Sequence, residues 1–102
     1  MTRGRATGYT ETDIKRQIKD VLAFNGIFNY PLVQGLRSYR GVPDRVMHLK
    51  GKVVYLEVKK PGNRQSENQV KFQAQCQEDG IDYFVVHSPE EVMEIIAEVL
   101  RE

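Results

Sequence analysis

Val53-Val54-Tyr55-Leu56-Glu57-Val58-Lys59 places an apolar side chain at every second position, the period of a strand with one buried face. Val54, Leu56 and Val58 form that face, so Glu57 and Lys59 point away from the main core. Upstream, Arg45-Val46-Met47-His48-Leu49-Lys50 also alternates. Between the two runs, Gly51-Lys52 fits a two-residue hairpin turn with glycine at its first central position. This turn pairs Lys50 with Val53, and stepping along the ladder sets Val46 opposite Glu57 and Asp44 opposite Lys59. Directly paired residues share a face, so Asp44, Glu57 and Lys59 converge on one patch, with the two carboxylates in a diagonal relation at roughly 7 to 8 Å. A slip of one residue would scatter them, so the site depends on the register.

Two carboxylates at about 5 Å repel by roughly 3 kcal/mol at an effective dielectric near 20. Lys59 offsets part of that if it is a structural ion-pair partner. A hard divalent cation would offset more, since Mg²⁺ prefers carboxylate oxygens. The residues alone leave both readings open.

The chain has 102 residues, enough for one domain with a modest core. No repeat is visible, no apolar stretch approaches the roughly 20 residues of a membrane span, and Met1 to Tyr9 lacks the hydrophobic core of a signal peptide. A soluble, cytoplasmic protein without membrane contact is expected. Cys76 is the only cysteine, which excludes an intrachain disulfide and a cysteine-based zinc site. With only His48 and His87 available, a zinc enzyme is not expected. Net charge is +1, but its distribution is uneven. From Arg37 to Lys71 the basic residues Arg37, Arg40, Arg45, Lys50, Lys52, Lys59, Lys60, Arg64 and Lys71 face only Asp44, Glu57 and Glu67. From Glu78 onward acids dominate. Positive potential gathered around the proposed site suits a phosphate-backbone binder, although a solvated surface of uneven charge has the same composition.

Residues 1–9 read as a flexible basic arm and 10–102 as the folded domain. Thr10 with Asp13 forms a capping box for a helix carrying Ile14, Ile18, Val21 and Leu22 and ending at Gly26. Ile27 to Tyr30 suits a strand, with Pro31 at its edge or end, and Gln34 to Pro43 reads as a loop. After the hairpin, Lys60 to Gln65 is a turn-rich loop; Ser66 with Gln69 caps a helix that Gly80 closes. Ile81 to Val86 is a strand expected to be buried on both faces. Ser88 with Glu91 makes another capping box, Pro89 takes the first helical position, and Val92, Ile95, Ile96, Val99 and Leu100 form an apolar stripe. The order αβββαβα predicts an α/β fold with a mixed sheet flanked by helices, the last strand parallel to the charged one.

Gly41-Val42-Pro43-Asp44, Glu57-Val58-Lys59, Gln69 in the following helix and a helical Glu11 resemble the virus-type replication-repair nuclease domain, VRR-NUC, of the PD-(D/E)xK nuclease superfamily. The likeness covers roughly Thr10 to Leu100, and the Lys60-Pro61-Gly62 loop and the element order add to it. It implies a restriction-endonuclease-like core and Mg²⁺- or Mn²⁺-dependent hydrolysis of phosphodiester bonds. Asp44 and Glu57 then resemble the metal-holding carboxylates, with the backbone carbonyl of Val58 as a further ligand. Lys59 resembles the lysine that positions the attacking water and steadies the phosphorane charge, and electrostatic help is favoured over base catalysis because a lysine beside a metal and a phosphate stays charged. Glu11 resembles the first-helix glutamate that reaches the metal directly or through water; an acid interacting with the helix dipole is the alternative. Gln69 resembles the glutamine that braces the site, and as a capping residue it already has a structural role.

Arg40, Lys60, Arg64 and Lys71 are the expected DNA-backbone contacts. Ser38 and Tyr39 are nearby polar candidates, and His48 should share the face of Tyr55. Standalone domains of this kind resemble Holliday-junction resolvases of phage or bacterial type that act as homodimers, so symmetric nicking of branched DNA in repair is the expected activity. Ile27 to Leu32, the first helix and the arm are candidate interface parts. The alternative is a noncatalytic nucleic-acid-binding module that keeps the nuclease fold. A P-loop and a dinucleotide fingerprint are both missing, which disfavours nucleotide-driven chemistry.

Overall fold

The computed structural model describes residues 9–35 and 37–102, so the expected arm, apart from Tyr9, lies outside the described residues. The elements are α1 (Glu11–Phe24), β1 (Asn29–Pro31), β2 (Arg45–Leu49), β3 (Lys52–Val58), α2 (Glu67–Asp79), β4 (Asp82–Val86) and α3 (Pro89–Arg101). They build a sheet of order β1-β2-β3-β4. β1, β2 and β3 pair antiparallel, and β4 joins β3 in parallel. The α/β fold, the mixed sheet and the element order are those expected. No described helix is long and apolar enough to cross a membrane.

The period-two pattern of β3 divides the molecule into layers. Val54, Leu56 and Val58 join Met47, Leu49 and Val86 on one face of the sheet. There they meet Ile14, Ile18 and Leu22 of α1 and Val92, Ile96 and Val99 of α3. Each such side chain contributes roughly 1.5–3 kcal/mol by leaving water. On the opposite face α2 lies over β3 and β4, with Phe72 edge-on to Tyr55 at 5.4 Å and against Tyr83 at 6.1 Å. Glu57 is therefore roofed by α2 near the carboxyl end of a central strand.

The hairpin differs from expectation by two residues. Leu49 pairs with Lys52 and Arg45 with Leu56, so Lys50 and Gly51 are the turn residues. Their φ angles are +55° and +77°, meeting the type I′ requirement for positive φ at both central positions, which matches the right-handed twist of the strands. A shift of two preserves the faces, whereas a shift of one would invert them. His48, opposite Val53, does share the face of Tyr55, which is opposite Val46.

Smaller departures have local causes. β1 begins at Asn29 rather than Ile27, because the Ile27 N–H closes α1 by donating to the Leu22 carbonyl at 3.0 Å and its side chain packs on the core. Ile81 is exposed and its N–H closes α2 on Cys76 O at 2.8 Å; the strand starts one residue later, with only Tyr83 and Val86 fully buried. The boxes at Thr10/Asp13 and Ser66/Gln69 are complete. At Ser88 only half forms: the hydroxyl accepts from Glu91 N at 3.2 Å, while the Glu91 carboxylate takes the His87 N–H at 3.0 Å instead.

Lys50 holds a left-handed conformation that costs most L-residues about 1–2 kcal/mol. Lys50→Asn should raise stability by about 0.5–1 kcal/mol, read as a higher urea midpoint at unchanged slope.

Candidate active site

Asp44 stands one residue before β2, whose ladder ends with Arg45 opposite Leu56, so it does not take the expected place opposite Lys59; its charge acts on Glu57. Both its backbone groups are used: the N–H donates to Leu56 O at 3.1 Å and the carbonyl accepts from Leu32 N at 2.9 Å. Its side chain is fixed as firmly, Oδ2 accepting from Val58 N at 2.7 Å and Oδ1 pairing with Lys15 Nζ at 2.9 Å. The chain reaches this position through Gly41, which has φ +84° and lies so close to α2 that an added Cβ would sit 2.3 Å from the Asn68 carbonyl oxygen. Only glycine meets both demands.

Glu57 is 1 % exposed. Its Oε2 accepts from Gln69 Nε2 at 2.7 Å and lies 3.7 Å from Lys59 Nζ. Its Oε1 is buried and, with both acids ionised, has no hydrogen-bond partner; a proton on Glu57 is shared with the Asp44 side chain. Burial, and then the facing charge of Asp44, push the Glu57 carboxyl up to about 8, against the opposing pull of Lys59 and Lys15. Burial also pulls the Lys15 ammonium down, but the hydrogen bond and charge of Asp44, with help from Glu11 and Glu57, outweigh it and hold Lys15 above the ordinary lysine value.

The structure thus gathers Asp44, Glu57, Lys59 and Gln69. Val58 sits beside them, its N–H anchoring Asp44. Gln69 performs both tasks that sequence reading set against each other: Oε1 accepts from Ser66 N at 2.8 Å while Nε2 holds Glu57. Among the described residues no three His, Cys, Asp or Glu side chains form a group able to hold a metal, Glu11 with the two acids included. Glu11 lies one turn before Lys15, on which its charge acts. Lys15 is the residue that sequence reading missed. Its position beside Ile14 marks the border of the α1 stripe, but nothing in the sequence says that this border passes over the end of β2.

Of the expected phosphate contacts, Arg40 and Lys71 share a cleft with Tyr39, Asn68 and Phe72. Lys60 and Arg64 lie on the β3–α2 loop, half-buried and exposed respectively. Lys50 and Lys52 are drawn to Glu102 at the far end of the hairpin, and Arg45 bonds Asn29. The basic stretch is therefore less concentrated on the site than its sequence order implies. Ser38 is spent on the Val33 carbonyl, and His48 packs on Phe28 at 4.9 Å.

Two outcomes follow from this geometry. Glu57 titrates near 8 against an ordinary value of 4.5, so between those pH values the folded state keeps a proton that the unfolded chain has released. In EDTA, stability should be full below about pH 4.5 and fall, by up to a few kcal/mol, as pH rises through 8. Urea melts across that range should show the slope, and Glu57→Gln should flatten it. Gly41→Ala should cost about 2 kcal/mol or more, because a left-handed alanine is strained and its methyl meets backbone rather than a side chain that can move.

No family model matches the sequence, and neither does any curated protein. Among solved structures, a VRR-NUC domain superposes with a TM-score of 0.72 at 25% sequence identity, covering 85% of this chain and 94% of its own. The element order, the mixed sheet and this superposition agree: the chain has the restriction-endonuclease-like fold of a VRR-NUC domain.

Proposed function

We propose that this protein is a metal-dependent DNA endonuclease whose active site is the cluster of Asp44, Glu57, Lys59 and Gln69. The observation that carries this reading is Glu57 Oε1, a buried carboxylate oxygen with no partner, facing a second carboxylate. Native interiors rarely leave such an atom unpaired, and a buried like-charge pair is a site of chemistry more often than a means of stability. The donors are hard oxygens with no sulfur or imidazole among them, which fits Mg²⁺ or Mn²⁺. Asp44, Glu57 and the Val58 carbonyl would hold the ion. When bound, it would polarise a phosphoryl oxygen and lower the pKa of water.

The chain's own groups do the rest. Gln69 fixes the rotamer of Glu57, and the Val58 N–H fixes that of Asp44. Lys59 supplies positive charge beside Glu57, where charge develops on a phosphorane. Lys15 restrains Asp44, and Glu11 acts through Lys15. Arg40, Lys60, Arg64 and Lys71 bind the DNA backbone. Action on branched DNA by a homodimer, one site per strand, extends the same proposal; the exposed rings of Tyr30 on the outer strand β1 and of Phe28 just before it are its candidate contact.

Lys59→Ala and Asp44→Asn should each lower Mg²⁺-dependent nicking by about 10²-fold or more, while circular dichroism and binding in EDTA stay near wild type. Labelled linear duplex, single strand, flap and four-way junction, incubated with Mg²⁺, Mn²⁺ or EDTA, provide the assay. Undiminished cleavage by either variant would remove that residue from the mechanism. Tight binding without cleavage in any metal would indicate a noncatalytic binder. Sedimentation at assay concentration tests the dimer.

A further inference from the structure

Beside the Arg40–Lys71 cleft, a recess of about 370 Å³ is lined by the rings of Tyr39, Tyr55 and Phe72 and by the exposed side chains of Lys71, Gln75 and Asp79. The two hollows share Tyr39, Lys71 and Phe72, and the other, about 360 Å³, adds Arg40 and Asn68. Tyr39 is 69% exposed yet stands edge-on to Phe72 at 6.1 Å, and Phe72 in turn is edge-on to Tyr55 at 5.4 Å. An exposed ring over an aromatic floor is neither core nor ordinary surface. Along α2 the lining residues Asn68, Lys71 or Phe72, Gln75 and Asp79 recur every three or four positions, so one helix face supplies one wall and Tyr39, Arg40 and Tyr55 supply the rest.

We infer that this recess takes an unpaired nucleobase of a DNA strand, stacked on the exposed ring of Tyr39 with Phe72, perpendicular to that ring, at the edge of the base, and with the adjoining phosphates on Arg40 and Lys71. The inference rests on the nuclease reading and adds a substrate class to it. Aromatic faces with cations at one end are the composition that binds single-stranded nucleic acid, because every base has a π-face and every nucleotide a phosphate. At the other end Gln75 donates to Asp79 at 3.1 Å, leaving amide and carboxylate capacity for the polar edge of a base. The adjoining cleft, where Arg40 joins Lys71, favours a nucleotide with its phosphates over an apolar peptide.

Position links the recess to the proposed chemistry. Tyr55 lies on the same face as Glu57, two residues earlier, or roughly 6.6 Å along the strand. Arg40 immediately precedes the Gly41–Asp44 segment, and Phe72 follows Gln69 by one helical turn. A strand with a phosphate at Glu57 thus has a neighbouring nucleotide beside the recess. A base inside a duplex cannot enter without leaving its stack, which costs a few kcal/mol. A base already unpaired at a flap or branch enters freely, so the recess favours such DNA.

The test is anisotropy binding in EDTA, which needs no cleavage, using a labelled flap, the same flap with an abasic residue at the unpaired position, and a perfect duplex. Tyr39→Ala should weaken flap binding roughly five- to hundred-fold and leave duplex binding nearly unchanged, while Tyr39→Phe behaves as wild type. The abasic flap should bind wild type more weakly by a similar factor and cost Tyr39→Ala nothing further. Equal loss on flap and duplex, indifference of wild type to the abasic residue, or a Tyr39→Ala effect confined to self-association would each overturn the inference. Mg²⁺-dependent cleavage that ignores Tyr39 would leave the nuclease reading standing without the recess, whereas wild type that neither binds nor cuts DNA would remove both.

Discussion

The structure turns on a carboxylate placed where a carboxylate is costly. Glu57 lies near the carboxyl end of a central strand, 1 % exposed, with the charge of a second acid, Asp44, acting on it. A buried charge is tolerated only when neighbours replace the water it has lost. Here one oxygen is served by an amide and approached by an ammonium, and the other, when ionised, meets only the carboxylate of Asp44. A domain of this size has only a few kcal/mol of net stability to spare. The proposed function gives that oxygen a use, as a ligand, that packing alone does not.

The legible part of the fold came from patterns that depend on few residues. Alternation in Val53 to Lys59, the serine and threonine caps and the glycine at position 80 each encode local physics, and tertiary contacts left them in place. The hairpin register was harder, because Lys50-Gly51-Lys52 admits two turns. Glycine first suggests one; the backbone takes the other, with glycine second and a lysine held at positive φ. The site survived because a two-residue shift keeps parity, and Asp44 still acts on Glu57. Lys15 was illegible for a different reason. Which helix crosses the end of which strand is a property of packing between layers, and a 3.6-residue pattern does not contain it.

Charge order along the chain misled in a similar way. Lys50 and Lys52 follow Arg45 closely, but the hairpin carries them to the opposite end of the sheet from Asp44, where they meet Glu102. A strand residue moves about 3.3 Å from its neighbour, so a few residues of hairpin separate charges by more than a Debye length at ordinary ionic strength. Conversely, Arg40 and Lys71 are far apart in sequence and share one cleft. The positive surface is assembled by topology, with the loop before β2 docking on the first turns of α2.

That docking also explains why position 69 carries an amide. The Ser66 backbone N–H can only donate, so the Gln69 oxygen must face it and the NH₂ group must face away. What lies on the other side is Glu57 Oε2, which can only accept when ionised. A glutamate at this position would complete the capping box equally well but would turn a third carboxylate toward two that already repel. The cap sets the orientation of the side chain and the buried acid sets its chemistry, so the N-terminus of α2 and the floor of the site are one hydrogen-bonded unit. Gly41, pressed against the carbonyl of the residue before Gln69, ties Asp44 to that same unit. The spacing of the two acids is therefore held by backbone contacts from three segments rather than by the acids themselves, which is what a pair of mutually repelling groups requires.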